Sequence, residues 1–165
     1  MKKAYFIALP VLLSVGLLWA QAGKAEKAKG KAKAGAAHEA KITTPDQLMW
    51  SPLMPGVEIA AAVGDPKVAG PFVLRLRATA DSKIPPHWHP TDESVTVLAG
   101  DTSFGMGKTW EDSQLKSAPV HTVAMMPARM PHYAMFKKGS EVQINGNGPF
   151  VINYVNPADD PNKKK

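Results

Sequence analysis

The residues best placed to do chemistry are two imidazoles one position apart, His87 and His89, in Pro85-Pro86-His87-Trp88-His89-Pro90-Thr91-Asp92-Glu93, where a carboxylate follows four residues after the second. Side chains alternate along an extended strand, so both histidines project from one face and can converge on a point. Neutral imidazole binds Fe, Mn, Ni, Cu or Zn, and a carboxylate adds a hard, charge-balancing oxygen. The 165-residue chain has no cysteine, so a metal here would have only nitrogen and oxygen donors. Glu93 shares the phase of the histidines if the strand runs on through Pro90-Thr91-Asp92, and Asp92 then points away. A fourth ligand must come from later in the chain, from His121 or His132. The expectation is one divalent transition metal, with Glu93 also a candidate catalytic base and Tyr133, next to His132, a candidate proton donor.

Strands have to position these groups. From Ile42 onward, short apolar runs are punctuated by proline and glycine, a pattern that predicts an all-β domain of about eight to ten strands with little helix. One helical turn is expected within Thr44 to Trp50, with Leu48 and Trp50 inward. Val57 to Val63 reads as a strand between Pro55-Gly56 and Gly64-Asp65-Pro66. In Phe72-Val73-Leu74-Arg75-Leu76-Arg77-Ala78 the alternation puts Phe72, Leu74 and Leu76 on one face and the two arginines on the other, which is expected to be solvated. Late strands are expected at Glu141 to Ile144 and Phe150 to Val155. Phe104, Met106, Met125, Tyr133, Met135 and Phe136 are expected to wall the site or fill the core, while Trp88 alternates away from the ligands.

These residues resemble the cupin family. Its first motif is met from His87 onward, as His87-x-His89, three residues, Glu93, six residues and Gly100; its opening glycine is replaced by Asp81. Its second motif is met at Pro127 and His132 with the right interval, while His121 and Arg129 stand where it has glycine and Phe136 where it has asparagine. The likeness spans roughly residues 55–156. It implies an antiparallel β-barrel of jelly-roll type with His87, His89, Glu93 and His132 around one metal, and so selects His132 over His121. It further implies a metal-dependent enzyme, oxygenase or isomerase-like, acting on a small organic molecule. The alternative is a non-catalytic metal-dependent module that binds or senses a small ligand. A homodimer paired through edge strands is also suggested by the resemblance.

The ends differ from the middle. Met1-Lys2-Lys3, an apolar run to Trp19 and Ala20-Gln21-Ala22 have the pattern of a signal peptide over residues 1–22, so an exported, periplasmic or secreted protein without a membrane span after cleavage is expected. Residues 23–41, rich in Lys, Ala and Gly, have no apolar side chain larger than alanine and are expected to form a disordered linker. The domain is expected over 42–157, with a frayed basic tail at 158–165. The net charge of +6 comes from these ends: residues 42–162 hold nine basic and twelve acidic residues, net −3. A folded domain of that charge is not expected to bind nucleic acid specifically.

Overall fold

The computed structural model describes residues 40–163. The predicted signal peptide, nearly all of the linker and the last two lysines lie outside these residues. Eleven strands follow in order, slightly more than expected: β1 (Ser51–Met54), β2 (Val57–Val63), β3 (Gly70–Ala78), β4 (Ser82–Trp88), β5 (Glu93–Ala99), β6 (Thr102–Met106), β7 (Lys116–Ala118), β8 (Val123–Met126), β9 (His132–Phe136), β10 (Glu141–Gly148) and β11 (Asn153–Tyr154). They form a six-stranded sheet, β1-β2-β3-β10-β5-β8, and a five-stranded sheet, β11-β4-β9-β6-β7. All pairings are antiparallel. The two sheets share no hydrogen-bonded strand pair, so the molecule is a two-sheet jelly roll of the expected class.

Alternation decides what lies between the sheets. In the larger sheet Phe72, Leu74 and Leu76 of β3, Val95 and Val97 of β5 and Val142 and Ile144 of β10 are buried. The register sets Val142 between Leu76 and Val97 and Ile144 between Leu74 and Val95, giving one apolar layer. Ile84, Phe104, Ala134 and Phe136 of the smaller sheet close the same core. Each such side chain contributes about 1.5–3 kcal/mol through burial if it is large. The outer face of β3 is polar, as its pattern predicts: Arg75 pairs with Glu141 at 2.8 Å and Arg77 with Glu58 at 2.6 Å. Trp50 lies under the Arg77 guanidinium, 4.2 Å from ring centre to Cζ. The expected helical turn is a single 3-10 turn at Pro45–Gln47, closed by the Thr44 amide donating to Gln47 Oε1 at 3.0 Å.

Turns explain the altered glycine positions. Gly100 has φ 72°, and a Cβ there would lie 2.6 Å from Ser140 Cα, so the residue must be glycine. His121 (φ 74°) and Arg129 (φ 62°) hold the same left-handed backbone without being glycine. The turn geometry has therefore survived the change of residue. Asp81 acts differently, its carboxylate accepting from the Lys138 amide at 2.9 Å and Lys137 Nζ at 2.8 Å. A last 3-10 turn, at Pro157–Asp159, is capped by the Asn156 side chain.

Candidate metal centre

A bulge sets the phase of the first two histidines. Between β4 and β9, Ile84 faces Ala134 and His87 faces His132, so three steps on one strand match two on the other. The extra residue falls at Pro85-Pro86, which have no amide hydrogen to give to a ladder and are tolerated at such a bulge. Strict alternation from buried Ile84 would turn Trp88 inward and His87 and His89 outward. The bulge instead turns His87 and His89 inward, leaving them 7% and 4% exposed.

Glu93 arrives by another route. The strand does not continue through Pro90-Thr91-Asp92; β4 belongs to the smaller sheet and Glu93 opens β5 in the larger one. The chain crosses between sheets, and His89 and Glu93 face each other across the interior, His89 Nε2 3.5 Å from Glu93 Oε2. His132, opposite His87 on β9, places its Nε2 3.0 Å from Glu93 Oε1. The ligand atoms of His87, His89 and His132 all lie within 4.8 Å of one another.

Main-chain carbonyls orient all three rings. His87 Nδ1 bonds Pro85 O at 2.7 Å, His89 Nδ1 bonds Val151 O at 2.8 Å and His132 Nδ1 bonds Met130 O at 2.9 Å. A carbonyl only accepts, so each Nδ1 carries the hydrogen, and in a neutral ring each Nε2 presents a bare lone pair. Phe150 stacks on His89, 4.4 Å between centroids and 18° between planes, and steadies the ring further. Burial, then the neighbouring His132, lowers the His87 pKa to about 3. Burial likewise lowers His89. For Glu93 burial acts upward, but His132 and His89 outweigh it and the carboxyl is lowered.

The donor set fits a divalent metal. Glu93 Oε2 and His132 Nε2 are buried without a hydrogen-bond partner, and such orphans are costly unless something positive lies between them. Neutral imidazoles and an ionised carboxylate are also the states that ligation requires. The centre sits at one wall of a cavity of about 50 Å³, whose other walls are apolar and include Leu76, Phe104, Phe136, Val142 and Ile144. That is room for about four water molecules.

Other predicted residues are placed elsewhere. Tyr133 is fully buried on the opposite face of β9 from His132. Its hydroxyl donates to Glu111 O at 3.1 Å and accepts from Glu111 N at 3.3 Å, and its ring lies against Trp110. The proton-donor reading of Tyr133 therefore has no geometric support, because alternation carries it away from the centre. Met106 and Met125 are 48% and 62% exposed, so they do not wall the cavity. His121 sits in an exposed turn. Asp92 points away as expected, its Oδ1 accepting from Ala128 N at 2.6 Å, while Arg129 N donates to His89 O at 2.7 Å. These two bonds join the turn after β4 to the loop before β9.

Phe150, Ile152 and Tyr154 line the cavity and were not singled out from the sequence. Their signal was the alternation within Phe150 to Val155, a run expected to be one strand, of which only Asn153–Tyr154 forms a strand. Tyr154 pairs with His87 across β11 and β4, with ring centroids 6.1 Å apart. Burial, then Asp160 and Asp159, raises its pKa.

No family model and no curated protein sequence matches the chain. Solved structures do. The polyketide cyclase RemF from Streptomyces resistomycificus is 12% identical with a TM-score of 0.61, over 74% of this chain and 90% of that one. A putative acetylacetone dioxygenase from Methylibium petroleiphilum is 18% identical with a TM-score of 0.58, over 76% and 88%. An RmlC-like cupin from Shewanella frigidimarina is 11% identical with a TM-score of 0.54, over 66% and 91%. The likeness is one of fold: this chain shares with these three structures, one of them an RmlC-like cupin, the antiparallel two-sheet jelly roll.

Proposed function

We propose that the chain is an exported metal-dependent enzyme that transforms a small organic molecule at a centre held by His87, His89, His132 and Glu93. The observation that carries this reading is the convergence of three buried imidazoles, each held by a carbonyl at Nδ1, two of which, His89 and His132, also face a buried carboxylate with an unpartnered oxygen. When bound, a divalent transition metal would supply Lewis-acid or oxygen-activating chemistry. The protein's own groups do the rest. The histidines fix the centre, Glu93 offers an oxygen that ligates or accepts a proton, and the apolar walls exclude bulk water. Export rests on the N-terminal pattern of the sequence; among the described residues no helix is long and apolar enough to cross a membrane.

Dioxygenase and cyclase chemistry among the similar structures supports an oxygenase or isomerase-like reaction. The small cavity supports a second reading, a non-catalytic metal-dependent binding or sensing module. Metal analysis of the mature protein beside a His87→Ala, His132→Ala double variant tests the centre. Metal near one per chain in the parent and little in the variant is expected; equal metal in both would overturn the site. Turnover of phenolic, keto-acid and sugar substrates under air then separates enzyme from binding module.

A further inference from the structure

A second, outer depression adjoins the centre, lined by Trp88, Lys108, Arg129, Pro131, Tyr154 and Val155. It holds two cations and two aromatic rings, and no carboxylate lines it. Neither Lys108 nor Arg129 has an ion-pair partner among the described residues. Tyr154 is common to the lining of this depression and of the inner cavity.

The backbone at Arg129 is informative. Its φ of 62° is a conformation that disfavours a side chain with a Cβ, and glycine would occupy it without that cost. An arginine is held there all the same, its amide fixed on the His89 carbonyl. Strain kept beside a functional centre is a sign of use. A guanidinium offers paired donors that match a carboxylate, while Trp88 and Tyr154 offer flat apolar surface beside it.

We infer that the outer depression is a recognition subsite for an organic carboxylate, with the acid on Arg129 and Lys108 and the apolar body against Trp88 and Tyr154. The inner cavity of about 50 Å³ would admit only the small reacting end of such a ligand. The subsite deepens the proposed function by naming the substrate class, and it rests on that reading for its reaction though not for its binding.

The test uses the mature, metal-loaded chain and two matched pairs of probes, benzoate against benzamide and cinnamate against cinnamamide, with binding followed by calorimetry. The expected result is that the acids bind at least about tenfold more tightly than the amides, the worth of one charge-assisted hydrogen-bonded contact. Arg129→Gly removes the guanidinium while supplying the residue its backbone favours, so it should fold and keep its metal yet lose the preference. Lys108→Gln should lose part of it. The His87→Ala, His132→Ala variant should keep the preference without metal, which separates this subsite from the centre itself. Equal binding of acids and amides, no binding of the acids at millimolar concentration, or a preference that survives Arg129→Gly would overturn the proposal. A preference that vanishes only with the metal would overturn it too, by placing the acid on the ion.

Discussion

Which tyrosine belongs to the centre is decided by a change of one oxygen atom. Tyr133→Phe removes a buried hydroxyl that bridges the amide and carbonyl of Glu111 at 3.3 and 3.1 Å. A buried hydrogen bond contributes about 0.5–1.5 kcal/mol, and orphaning its partners costs up to about 3 kcal/mol. Glu111 is exposed, however, so water can replace the lost contacts on its backbone. The expected cost is therefore near the lower end, about 1 kcal/mol, or roughly 4 °C in Tm for a domain of this size. Urea unfolding followed by circular dichroism reads it as a lower midpoint with an unchanged slope. Metal content and affinity should not move, since ring and hydroxyl lie on the far face of β9 from His132. Unchanged stability combined with a loss of metal or turnover would refute this reasoning and return Tyr133 to the site.

Three further outcomes are expected. Gly105→Ala would put a Cβ 2.1 Å from the Tyr133 ring, so denaturant unfolding should show a loss of about 1–3 kcal/mol, relieved when Tyr133 is also made smaller. His121→Gly should raise stability by about 1 kcal/mol, because the φ of 74° costs a residue with a Cβ roughly that much; a fall would show that the imidazole has a compensating partner. The metal-free protein should weaken in acid. His87 has its folded pKa lowered from 6.5 to about 3, so between those values the unfolded chain binds the extra proton and stability is lost as the pH is lowered, by up to about 1.4 kcal/mol per unit. Denaturation midpoints from pH 7 to pH 4 check the slope, and a flat profile would contradict the burial of a neutral imidazole.

The clustering of the three histidines with Glu93 was legible in the sequence because spacing survives when turns change. His87, His89, Glu93 and His132 kept their intervals, while His121 and Arg129 took over glycine positions by adopting the glycine backbone. The faces of β3 were legible as well, since arginine and leucine differ enough to mark inside from outside. Three things were hidden. Pro85-Pro86 announce a break without saying that it reverses the phase of the strand, which only the pairing with β9 decides. Whether the strand ran on to Glu93 was left open by the sequence, because a crossing between sheets leaves no periodic mark. Met106 and Met125 are apolar on exposed faces, and Tyr133 is buried on the wrong one; hydrophobicity reports burial, not which layer is being filled.

The two backbone bonds that tie the turn after β4 to the loop before β9 have a consequence for how an ion would be taken up. Arg129 N to His89 O, Ala128 N to Asp92 Oδ1 and the three carbonyl anchors of the rings use none of the Nε2 or Glu93 oxygen atoms that would face an ion. The ordering entropy of the ligands has thus been spent in folding rather than left for the binding step. In small domains that only metal can fold, chelation unfolds the chain. Here chelation should empty the centre and leave the jelly roll standing. With the nitrogen and oxygen donors already set, which of the competing ions fills the centre would follow supply as much as fit.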